Sequence, residues 1–209
     1  MGRESTTTSI GSSFVLALAG GHLAPFTVET MHTIGSAGEL ITASNSEYAF
    51  HRPLPDGRVL RVERDYQPIE LGAEEHRQWE AYRRHFGDLV PATRGVEEEF
   101  DRIPRVKPAF RRIWSDAEGR LWIHRYKEAV YRPVPEDVRR ERGDRPVLDW
   151  REPTVYDLFA PDGSYLAEIT LPPRTGFRAA SGRHIWAQQA GEFGEVYIVH
   201  FRIEAPNAP

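Results

Sequence analysis

The chain has 209 residues, with 27 Lys or Arg against 31 Asp or Glu and a formal net charge of −4. That balance argues against a general nucleic-acid-binding surface, which needs an excess of positive charge. With 40% hydrophobic residues, 28% charged residues and no cysteine, the chain is composed to fold around a core, and disulfides, thiolate metal sites and cysteine nucleophiles are all excluded.

No stretch reaches 18 consecutive apolar residues, so no membrane span is expected. The first apolar run, Phe14–Ala19, is shorter than a typical signal-peptide core and follows Glu4, so a β-strand is the favoured reading. Strands are then expected near Thr30–Ile34, Leu40–Ser44, Tyr48–Arg52 and Arg58–Arg64. The segment Ala73–Phe86 has helical period: Trp79, Tyr82 and Phe86 recur at i, i+3 and i+7. Glu74 and Glu75 open it, Arg83 and Arg84 lie towards its end, and Gly87 stops it. Trp79 and Tyr82 are expected to be buried against the first group of strands, because a helix this short is marginal without docking.

A second group of strands is expected at Phe110–Ser115, Leu121–Tyr126, Thr154–Phe159 and Tyr165–Leu171. The charged, proline-rich segment Lys127–Pro153 interrupts it and contains a short helical stretch at Glu136–Glu141. A third group, Gly176–Ala180, His184–Gln188 and Val196–Ile203, lacks a fourth strand. Leu121–Tyr126 and Val196–Phe201 are nearly continuous runs of apolar and aromatic residues, the pattern of strands covered on both faces.

The turns repeat. Pro55-Asp56-Gly57 matches Pro161-Asp162-Gly163, and Ala117-Glu118-Gly119 matches Ala180-Ser181-Gly182, with Ser36-Ala37-Gly38 a looser copy. Gly57, Gly119 and Gly163 are expected at positive φ between strand pairs. Repeated four-stranded meanders are the signature of propeller blades. The expected fold is all-β, a partial β-propeller of about three four-stranded antiparallel blades with one inserted helix. Residues 1–24 form an N-terminal segment that could hold an extra strand. Residues 25–209 form the partial propeller, with a helical insertion at 73–86 and a loop insertion at 127–153. A β-sandwich of the same hairpins is the competing architecture.

The stretches Ile103–Phe110, Asp116–Tyr126, Val155–Gly163 and Val196–Ile203, with Arg61–Asp65 leading into the Glu75–Trp79 helix, resemble bacterial six-bladed β-propellers of the NHL-like and TolB-like kind. The resemblance runs from about Pro25 to Ile203 and implies the C-terminal half of such a protein. It also implies an extracytoplasmic, periplasmic or secreted ancestor.

No nucleophile elbow, Walker loop or dinucleotide fingerprint is present. None of the eight histidines forms a helical zinc pair, and His51 and His124 are read as polar residues at strand ends before they are read as metal ligands. No metal and no cofactor is expected. The densest basic segment is Arg102, Arg105, Lys107, Arg111 and Arg112. It enters the first strand of the second group, which in a propeller is the innermost strand. Lys107 would then stand at the mouth of an axial channel, with Arg125 and Tyr126 leaving the next strand. The candidate ligand-binding residues are therefore Lys107, Arg125, Tyr126, His51 and His124, and a small anionic or carboxylate-bearing ligand suits them. The competing reading pairs these cations with Asp116, Glu118 or Asp157. The expected function is a non-catalytic ligand- or protein-binding module. The alternatives are a hydrolase or lyase with an axial metal, and a fragment without a function of its own. A homodimer, or a partner chain supplying further blades, is expected.

Overall fold

The computed structural model describes residues 25–87, 103–191 and 195–204. The expected strand at Phe14–Leu18 lies outside them. The described residues divide into two compact units, one of residues 25–27, 71–87, 103–105 and 131–150, the other of residues 28–70, 106–130, 151–191 and 195–204.

The larger unit is all-β and contains three blade-like antiparallel meanders. The first sheet takes β1 (Thr30–Ile34), β2 (Leu40–Ser44), β3 (Ala49–Pro53) and β4 (Val59–Glu63) in chain order. A small ribbon pairs β5 (Ile69–Glu70) with β6 (Val106–Lys107). The second sheet is a meander of β7 (Phe110–Ser115), β8 (Leu121–Arg125), β11 (Thr154–Phe159) and β12 (Tyr165–Leu171), with β9 (Val130–Tyr131) and β10 (Trp150–Arg151) forming a ribbon between its second and third strands. The third sheet contains β13 (Thr175–Ser181), β14 (His184–Ala190) and β15 (Val196–Arg202).

The three sheets pack face to face, and the alternation of side chains along β8 and β11 shows how. Ile41, Phe50, Phe110, Leu121, Ile123 and Phe159 form one core between the first and second sheets. Trp122, Tyr156, Leu158, Phe177, Ile185 and Ala187 form another between the second and third. Successive residues of β8 thus serve opposite cores, which is why its sequence is continuously apolar. Each fully buried side chain of this size contributes on the order of 1.5–3 kcal/mol. The first strands of the first two sheets, β1 and β7, run beside each other. Asn45 fastens that edge: its amide accepts from Glu29 N at 2.7 Å and donates to Phe110 O at 3.2 Å.

One expectation needs correction: the β15 run suits a strand covered on both faces, but Val196 and Ile198 are exposed because no described element lies over its outer face, and Tyr197, on the other face, is exposed as well. The helical stretches at Ala73–Phe86 and Glu136–Glu141 form α1 (Ala73–Gly87) and α2 (Glu136–Arg142). The flanking Pro135 and Gly143 bound α2 without preventing its two turns. Both helices belong to the smaller unit. There Trp79 is half-buried, edge-on to Phe26 at 5.4 Å and to Tyr82 at 5.7 Å. Gln78 and Asp149 exchange hydrogen bonds of 3.1 and 2.8 Å, and Glu80 accepts from Ile103 N at 3.0 Å.

Candidate functional site

The second and third sheets begin alike: Ala109-Phe110-Arg111-Arg112 opens β7, and Gly176-Phe177-Arg178-Ala179 lies near the start of β13. In both strands the register slips just after the phenylalanine, between Phe110 and Arg112 and between Phe177 and Ala179. Arg111 and Arg178 are the extra residues of two equivalent β-bulges. A bulge breaks the alternation of faces and re-aims its side chain. The phenylalanines stay in the cores, and Arg178 stands in solvent while Arg111 is partly exposed.

The two bulged arginines act on one pair of rings. His124 stacks on Tyr156 with centroids 4.8 Å apart and an interplanar angle of 25°. Desolvation, then the charges of Arg111 and Arg112, lower His124 from 6.5 to about 3, so the ring is neutral at ordinary pH. Burial raises the Tyr156 phenol, while Arg111 and Arg178 act against that rise. The charges of Arg111 and Arg112 thus reach His124, and those of Arg111 and Arg178 reach Tyr156. Glu152 accepts from Arg111 at 2.7 Å, Gln188 accepts from Arg178, and Arg112 is exposed.

The expected site residues fall in three places. Lys107 and Tyr126 adjoin this locus. Lys107 is 1% exposed, and its ammonium donates to Glu152 at 3.0 Å and to Lys127 O at 3.1 Å. Tyr126 is buried beneath the Arg111 guanidinium, 4.3 Å from its ring centre, and desolvation raises it to about 12. His124 forms the floor of the locus. Arg125, one residue on, points to the opposite face, where it reaches Glu168 at 3.1 Å and Asp157 at 3.5 Å. His51 is half-buried on β3 and pairs in register with Thr42 and Arg61, in the first sheet. Arg178 was not among the expected residues; the repeated Phe-Arg dipeptide was the signal that could have found it.

No family model, curated protein or solved structure matches this chain.

A second polar cluster lies on the Arg125 side. Tyr48 donates to Asp157 Oδ2 at 2.5 Å, and Arg64 reaches the same oxygen at 2.9 Å. Burial, then the adjacent Asp157 carboxylate, hold the Tyr48 phenol well above its ordinary value, so it remains a donor. Asp157 is fully buried, and its Oδ1 finds no hydrogen-bond donor among the described residues. Above this cluster opens a cleft of about 550 Å³ lined by Glu47, Tyr48, Glu63, Arg64, Asp65 and Tyr66. The acids that rim it make it a poor receptor for an anion. Its chemistry is that of an ionic knot fastening β11 to the ends of β3 and β4. Among the described residues no group of three or more His, Asp or Glu side chains is arranged to hold a metal ion.

Proposed function

We propose that the chain is a propeller-type binding module, of the NHL-like and TolB-like kind that its turns and strands resemble, and that it takes an anionic ligand at Arg111, Arg112 and Arg178. One observation carries this reading. Two equivalent bulges, in the first strands of neighbouring sheets, bring out arginines whose charges both reach Tyr156. A core does not need that arrangement, and a carboxylate suits it, because a guanidinium offers two parallel N–H donors to such a group. The neutral His124 supplies a further ring nitrogen to hydrogen-bond without adding charge.

The face-to-face meanders and the adjacent β1 and β7 support the propeller reading. In it the outer faces of the first and third sheets await further blades, and a second copy of the chain can supply them.

Isothermal titration with small mono- and dicarboxylates and with inorganic phosphate tests the site. Saturable binding is expected, weakened at least tenfold by Arg112→Ala and by Arg178→Ala and screened by salt. Binding that survives both substitutions would overturn the assignment, as would no saturable binding by any of these anions.

A further inference from the structure

On the outer face of the third sheet, away from its core, two histidines meet. His184 Nδ1 and His200 Nε2 are 2.7 Å apart. The ring centroids are 4.8 Å apart and the rings are tilted by only 14°. With the nitrogens lying between the centroids at that separation, the rings meet edge to edge through an N–H···N bond rather than stacking face to face. Both side chains are exposed, and they sit on adjacent antiparallel strands in a diagonal register: His184 opposes Arg202, and Trp186 opposes His200. The Trp186 ring lies 5.3 Å from that of His200.

We propose that His184 and His200 chelate a divalent transition-metal ion, Cu(II) or Ni(II), with water in the remaining positions. Imidazole nitrogens suit these ions, and both favour tetragonal geometry. Two nitrogens in neighbouring positions of a tetragonal ion, at bonds of about 2.0 Å, stand about 2.8–3.0 Å apart, whereas a tetrahedral zinc with bonds of about 2.0–2.1 Å holds them about 3.3 Å apart. At 2.7 Å in the hydrogen-bonded pair, the two nitrogens already stand within reach of a single ion. The two nitrogens now point at each other. To bind, each ring turns so that its lone pair swings out to a common point above the sheet, and the donor ring changes tautomer through water, its proton leaving the coordinating nitrogen as its other nitrogen gains one. Because both rings are exposed, that turn disturbs no core. The strands hold the histidines together before the ion arrives, so little ordering remains to be done on binding. Arg202 is the charge that opposes a cation here.

Titration of the chain with CuCl2 in a non-coordinating buffer, followed by tryptophan fluorescence, tests the site through Trp186. The expected result is saturable one-to-one quenching, with at least a tenfold loss of affinity in His184→Ala and in His200→Ala. Little change is expected in His32→Ala, several-fold tighter binding in Arg202→Gln, and most of the quenching removed by Trp186→Phe. Electron paramagnetic resonance of the Cu(II) complex should show two coordinated imidazole nitrogens, a readout that tryptophan placement does not affect. Non-saturable quenching would overturn the proposal. So would affinity unchanged in either histidine variant, or a resonance signature with no imidazole nitrogen.

Discussion

At the scale of single residues, the turn glycines separate backbone strain from packing. Gly57, Gly119 and Gly163 have φ of 83°, 74° and 85°, as the repeated turns predict. Gly57 and Gly163 share a conformation but not surroundings. A Cβ at Gly57 would meet nothing within 4 Å, whereas one at Gly163 would come within 2.5 Å of Val62 Cγ2 and 3.1 Å of Leu60 Cδ2. Gly57→Ala should therefore cost about 1–2 kcal/mol, the ordinary penalty of a left-handed Cβ. Gly163→Ala should cost measurably more, because β4 must move as well. Urea unfolding of the two variants checks this, and equal losses would mean that β4 yields freely. His124 adds a pH dependence. Its folded value of about 3 lies below the unfolded value of 6.5, so between those two pH values the unfolded chain binds the extra proton. Stability then rises with pH across that window and is lost as pH falls through it. In His124→Gln the slope of stability against pH between 6.5 and 3 should be shallower than in the parent chain. Identical slopes would show that His124 is protonated in the fold.

At the scale of elements, β8 and β15 show what the sequence could and could not disclose. Both are continuous apolar runs. In β8 the run is explained by two cores, Trp122 facing one and Ile123 the other. In β15 only Val199 and Phe201 face a core, and Val196 and Ile198 look outward. A run of apolar residues says that a strand can be covered twice, but not whether anything covers it. The hairpins were legible because a glycine turn and an alternating strand are local features. The arginine locus was legible only as a basic segment. Lys107, favoured by its place at the entry to the first strand of the second group, is buried against Glu152, while the bulge two residues beyond Ala109 turns the arginines outward. A bulge is a property of two paired strands, and nothing in one strand alone announces it. Helix α1 poses a packing question within the smaller unit. Its Trp79 meets Phe26 edge-on at 5.4 Å. Trp79→Ala should lower the thermal midpoint of that unit by several degrees and reduce helical circular dichroism, since truncating a packed aromatic costs about 3–5 kcal/mol in a full core and less at a half-buried site. An unchanged midpoint would show that the helix is held by its polar bonds to Asp149 and Ile103 alone.

At the scale of the whole molecule, the two terminal sheets differ from the middle one in having an outer face without a described cover. On the first sheet Ile34 stands opposite Leu40, and Pro53 opposite Val59; the three aliphatic side chains are 61%, 49% and 60% exposed. On the third sheet Trp186, Val196 and Ile198 look outward. Among the described residues no strand pairs with the outer edge of β15, and the third sheet has three strands where the other two have four. Exposed apolar rows beside an unpaired strand edge are an invitation to association. A two-fold pair in which the first sheet of one copy packs on the third sheet of the other would cover both faces with a single repeated interface. Such packing would extend the face-to-face stacking already present between the three sheets. Light scattering at micromolar concentration should accordingly report a dimer or a larger species. Introducing a charge on each face, Val59→Lys with Ile198→Lys, should shift it to the monomer without loss of the β-sheet circular dichroism signal. A parent chain that is monodisperse, monomeric and cooperatively melting would refute the two-fold pair. It would show that the outer faces are stable in water, and that the Arg111–Arg178 locus is complete within one chain.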